Sequence, residues 1–119
     1  MTNDDHLYAG PNGRVYPGAG AQNAALVCAV RDIVKPTVVG KPHSQLLDSI
    51  EKVHKLDRKR TIMFGDRLDT DILFGKSGGV STCLVLTGVH QEKHLQASED
   101  PICLPDFCIT SLGDLSVIA

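Results

Sequence analysis

Asp66, Asp69 and Asp71 crowd into six residues of the stretch "MFGDRLDTDILFG". Three carboxylates so close repel one another, and a purely structural loop has no use for them. A hard cation does. Magnesium takes oxygen ligands in octahedral geometry and keeps several waters, so one or two carboxylates and a substrate phosphate suffice. Asp66 directly follows an apolar run and Gly65, which makes it the candidate metal ligand. Asp71 falls five residues on, at the start of the next helix-like stretch, where it can orient a metal-bound water or a lysine. Asp69 suits the cap of that helix, a position aspartate fills well. Lys41 lies between Gly40 and Pro42. Its ammonium can hold a phosphate and offset repulsion from nearby acids, although a Gly-Lys-Pro step is also an ordinary strand-to-helix turn.

Several elements must place these groups. Residues 1–17 are punctuated by glycine and proline without a sustained period and read as a loop or connecting segment. From Gly20, "AQNAALVCAVRDI" is Ala-rich, with apolar Ala25, Val27, Cys28, Val30 and Ile33, and predicts a helix packed on a sheet, ended by Lys35 and Pro36. "TVVGK" (37–41) predicts a short strand. Through "HSQLLDSIEKVHKL" the residues Leu46, Leu47, Ile50, Val53 and Leu56 trace one helical face. "TIMFG" (61–65) and "STCLVLTG" read as buried strands, "DILFGKSGG" as a short helix stopped by Gly78 and Gly79, and "QEKHLQ" as a helical turn. "FCIT" (107–110) is a last strand before a terminal helical turn in "SLGDLSVI". Apolar strands without polar alternation, separated by helices, mark a parallel sheet with helices on both faces, a Rossmann-like α/β layer. Ligands bind such a sheet outside the carboxyl ends of its strands. Lys41 and Asp66 both stand at such ends.

"VVGKP", then "MFGDRLDTDILFG", then "VLTGV" together resemble the haloacid dehalogenase (HAD) superfamily of phosphatases. More narrowly they are similar to the branch holding 4-nitrophenylphosphatase, phosphoglycolate phosphatase and pyridoxal phosphate phosphatase. "TNDD" and "GRVYPGAGAQNAAL" also resemble the segment after that branch's inserted cap domain. The resemblance implies a partial HAD core, with the nucleophile strand and the cap missing: residues 1–17 connect from the end of the cap, and 18–119 form the C-terminal half of the core. It implies that Lys41 contacts phosphate and the nucleophile, that Asp66 binds Mg2+, and that Asp71 is the acid paired with it. In the family a first-motif aspartate attacks phosphorus, and water then hydrolyses the aspartyl-phosphate. A second aspartate two residues on serves as acid and base.

No DxDx(T/V) motif follows an apolar strand here. "DTDI" at 69–72 lies inside the fourth motif, "DDHL" follows no strand, and the second-motif Ser/Thr is absent too. The expectation is a chain resembling a magnesium-dependent phosphate monoester hydrolase of small phosphorylated metabolites, truncated and inactive alone. The alternative is a non-catalytic binding or dimerising module, or a remnant. In the family the nucleophile strand lies beside "TIMFG". Its loss would leave an apolar edge through which copies of the chain can associate.

Composition narrows the partners. A formal charge of -2 provides no basic face for nucleic acid, and 4% aromatic residues leave no stacking platform. The basic run "HKLDRKR" reads as a solvated helix end, where cations suit the dipole. Cys28 and Cys83 lie in apolar runs and read as buried thiols; Cys103 and Cys108 form no CxxC pair with them. With no leader pattern in "MTNDDHLY", this points to a reducing, cytoplasmic setting. No apolar run approaches a membrane span. His90 and His94 have a helical zinc spacing, but no further ligand is near, and Gln91, Glu92 and Lys93 mark a solvent-facing stretch. His43 can reach the crevice edge. Arg67 can face a substrate or pair with Asp69.

Overall fold

The computed structural model describes residues 3–30, 33–97 and 100–117, with the side chains of Pro11 and Val117 left aside. The chain divides into two compact units, Met1–Gly40 and Lys41–Ala119.

The first unit opens with a hairpin where glycine and proline predict a loop. Strand β1 (Leu7–Ala9) pairs antiparallel with β2 (Val15–Pro17), and the rings of Tyr8 and Tyr16 stack 5.4 Å apart. Three residues per strand are too few to show a period of two, which is why the pattern was invisible. Asn12, at φ 60°, turns the chain between them. Helix α1 (Ala19–Val30) forms as its alanines predict, yet none of its residues is buried and Cys28 is exposed rather than buried. Its apolar residues are spread around the axis, so propensity makes the helix without giving it a face. Arg31 and Asp32, expected to continue it, lie outside the described residues.

Where the two units meet in sequence, the expected strand over residues 37–41 is not formed. The segment enters neither sheet among the described residues, and an apolar β-branched run becomes a strand only where a sheet pairs with it. In the second unit, helix α2 (Gln45–His54) buries Leu47, while Leu46 and Val53, on the far margin of the predicted stripe, stay exposed. Beyond it the basic run is only partly solvated. Arg58 donates to Asp48, Glu51 and the Gly78 carbonyl, and so ties α2 to the turn that follows α3 (Leu73–Ser77).

Strands β3 (Ile62–Gly65), β4 (Ser81–Val85) and β5 (Phe107–Ile109) form a parallel sheet in the order β3-β4-β5. Met63 stands opposite Thr82, Gly65 opposite Leu84 and Leu84 opposite Cys108. Met63, Thr82 and Leu84 therefore share one face. Two apolar clusters pack the unit: Leu47, Phe74 and Val80 with Met63 and Leu56, and Leu68, Ile72 and Leu84 with Leu86, Leu95 and Cys103. Leu95 comes from the short helix α4 (Glu92–Gln96). Cys83 is buried, as expected. No helix among the described residues is long and apolar enough to cross a membrane.

Candidate active site

The carboxyl ends of β3 and β4 open onto a cleft of about 280 Å³, lined by Phe64, Gly65, Asp66, Val85, Thr87, Gly88 and Leu112. That is the edge at which a parallel sheet offers its ligand crevice. Asp66 stands on it, directly after β3.

The chain then enters a π-helical turn, Leu68–Ile72, before α3. The N–H groups of Asp71 and Ile72 both donate to the Arg67 carbonyl, at 3.0 and 3.1 Å. The widened turn swings the Asp71 side chain back over the strand end. Such turns are frequent at functional sites. Asp71 Oδ2 accepts the N–H groups of Asp66 and Arg67, each at 3.1 Å, and Oδ1 accepts from Lys41 Nζ at 2.5 Å. The Asp71 side chain is 5% exposed and that of Lys41 44%. A buried carboxylate with three donors is well compensated, and the ammonium it anchors still reaches solvent. Gly65 is required beneath it, because a Cβ there would collide with the Asp71 side chain.

The geometry brings Lys41, Asp66 and Asp71 into one hydrogen-bonded group, although 30 residues separate Lys41 from Asp71. Asp69 is not the cap. It lies in the first turn of the π-helical segment and takes a two-point contact from Arg67, at 3.0 and 2.6 Å. Hydrogen bonds from the Arg67 guanidinium hold the Asp69 carboxyl below its ordinary range. Arg67 makes the pairing expected as one of its two options. His43 is half-buried at the start of the segment leading to α2.

Asp66 is held from the far side of the cleft. Val89 N–H donates to its Oδ2 at 2.9 Å and His90 N–H to its carbonyl at 2.9 Å. Its Oδ1 has no hydrogen bond among the described residues. Gly88 lets this segment approach, since a Cβ there would strike the carboxylate. No set of three or more His, Cys, Asp or Glu among the described residues could hold a metal. A cation on Oδ1 would thus have at most two such side chains from these residues. That donor set fits magnesium, which keeps its waters, and not zinc, which takes three or four side chains.

Residues 88–90 complete the site without a signal in the amino-acid sequence. His90 and His94 do not face solvent freely: both are half-buried, their rings lie 5.0 Å apart, and each Nδ1 accepts a backbone N–H, from Leu68 at 2.8 Å and from Gln91 at 2.9 Å. Nothing in the spacing of "GVHQEKH" signals this, because Leu68 is 22 residues away.

Residues 38–115 match the HAD-hydrolase-like family. Over its whole length the chain is 34% identical to a 4-nitrophenylphosphatase of Schizosaccharomyces pombe, of which it spans 39%. It is 37% identical to the chloroplastic phosphoglycolate phosphatase 1A of Arabidopsis thaliana, over 95% of this chain and 30% of that one. Among solved structures, a 4-nitrophenylphosphatase from Thermotoga maritima superposes with a TM-score of 0.79 at 33% identity, over 97% of this chain and 42% of the other. The chain therefore spans well under half the length of these relatives.

Proposed function

The chain belongs to the HAD-hydrolase-like family, and on that footing we propose that it supplies the magnesium- and phosphate-handling part of a phosphate monoester hydrolase acting on small phosphorylated metabolites. The observation that supports this most directly is the Lys41–Asp71 pair, joined through Asp71 to the backbone of Asp66 beside the cleft. Asp66 Oδ1 holds Mg2+. When bound, the ion neutralises charge gathering on the transferring phosphoryl group. Lys41 spends one of its three donors on Asp71 and turns the others to phosphate oxygens. Asp71 touches no substrate. It holds the ammonium and the strand end in register, which is the pre-organisation that electrostatic catalysis requires. The relatives named for 4-nitrophenyl phosphate and phosphoglycolate support a phosphate monoester as substrate. The unpaired cysteines suit a cytoplasmic setting.

No aspartate in the chain stands in a DxDx(T/V) motif after an apolar strand, so the attacking carboxylate comes from outside these 119 residues. That same feature favours a second reading, a non-catalytic binding or dimerising module. Calorimetry with inorganic phosphate in the presence of Mg2+ separates the two. The first reading expects phosphate binding that disappears without Mg2+ and in Asp66→Asn, and weakens in Lys41→Ala; the second expects none. With 4-nitrophenyl phosphate and Mg2+, the chain alone is expected to show only background hydrolysis. Turnover removed by Asp66→Asn would show that no outside nucleophile is needed.

A further inference from the structure

The strand end that carries Asp66 is followed at once by a turn, and turns of this kind are mobile unless tied. Three hydrogen bonds tie this one to residues 89–90: Val89 N–H to Asp66 Oδ2, His90 N–H to the Asp66 carbonyl, and Leu68 N–H to His90 Nδ1. The first two come from backbone. Only the third uses a side chain of the 89–90 segment, and it closes the ring by gripping the turn two residues beyond the aspartate. An imidazole nitrogen that accepts carries no proton, so the His90 N–H resides on Nε2. The His94 ring, 5.0 Å away, packs against that of His90 and limits its rotation.

We propose that His90 is a positioning residue for Asp66. Its Nδ1 holds the Leu68 N–H, and thereby keeps the 66–68 backbone against the 88–90 segment, so that Val89 holds one carboxylate oxygen and leaves Oδ1 turned to its ligand. His90 touches neither phosphate nor metal. The part of this inference that concerns the cation rests on the magnesium reading above; the part that concerns the turn does not.

The test uses the full chain with two substitutions. His90→Phe keeps a planar ring and removes the acceptor, and His90→Asn restores an oxygen close to the place of Nδ1. Backbone amide exchange followed by NMR reads the turn directly. In His90→Phe the Val89 amide is expected to exchange about tenfold faster, the scale of local opening set by one lost hydrogen bond, although Val89 is not bonded to the imidazole. His90→Asn should return it toward the native rate. Exchange at Thr82 and Leu84, in the sheet, should not change. Mn2+ binding, read from water-proton relaxation, should weaken about tenfold in His90→Phe and recover in His90→Asn.

Native Val89 exchange in His90→Phe would overturn the proposal. So would acceleration spread equally over the sheet, or failure of both variants to fold, since His90 would then support the fold as a whole. The expected exchange pattern with no Mn2+ binding by the native chain would leave the positioning role standing and remove the magnesium reading.

Discussion

Asp71 is the residue on which the site turns. One of its oxygens collects two backbone N–H groups and the other collects an ammonium from a segment 30 residues earlier. Its burial means that none of these bonds is shared with bulk water. Asp71→Asn preserves the shape but removes the charge, and sets an amide N–H₂ against either Lys41 Nζ or the Asp66 and Arg67 amides. We expect it to lower stability by about 1–3 kcal/mol, the cost of a buried hydrogen-bonding group left unmatched. A fall in urea midpoint at unchanged slope is the measurement that shows it. The same substitution should weaken phosphate binding, because Lys41 loses the anchor that fixes its direction. Asp69→Asn, a change to an exposed pair with Arg67, should do neither.

At the scale of elements, a second acid performs a structural version of the same task. Asp106, just before β5, accepts the N–H and hydroxyl of Thr82 at 2.8 and 2.9 Å and pairs with Lys76 from α3, while its own N–H donates to Thr82 Oγ1. It joins β4, β5 and α3 at the amino edge of the sheet. The Lys76 contact first, then the Thr82 hydrogen bonds, hold its carboxyl below the usual 3.8. A depressed folded-state value contributes stability that is present above the unfolded pKa and lost as pH falls through the folded one. The native chain should therefore be more stable than Asp106→Asn near neutrality. That difference should close below about pH 4, where the unfolded carboxyl takes up its proton, and vanish once the folded one has done so too. Denaturant titrations of both proteins from pH 6 to about pH 2 test the sign. A gap that widened on acidification would contradict it.

Across the whole molecule, the arrangement to explain is an α/β sheet in which β3 pairs only with β4 among the described residues. The strand that leads to Asp66 is thus an edge strand, and Ile62 on it is 38% exposed. An apolar edge with unpaired backbone groups invites another strand. We expect the purified chain to self-associate through β3, and Ile62→Lys to shift it toward monomer, because a charge on an edge strand discourages pairing. Size-exclusion chromatography with light scattering reads both outcomes. A native chain that ran as a monomer at all concentrations would show the edge to be protected by other means.

The type and order of the elements around the site were legible in the amino-acid chain, because local causes decide them. Apolar runs made β3 and β4 strands, the glycine pair ended α3, and the crowding of Asp66, Asp69 and Asp71 singled out the strand end. The stretch around Lys41 read as a strand for the same local reason, but among the described residues it joins neither sheet. The helix around Cys28 read as packed, but its apolar residues share no face. Asp69 and Asp71 have equal local claims to cap a helix. Only the π-helical turn sends Asp71 back to the strand end and leaves Asp69 to Arg67. His90 looked solvent-facing from its neighbours, and it serves the site because folding brings Leu68 to it across the cleft. Short-range propensity and hydrophobic pattern lie in the order of residues. The choice of partner for each hydrogen-bonding group lies in three dimensions, because the groups that meet are 20 to 30 residues apart.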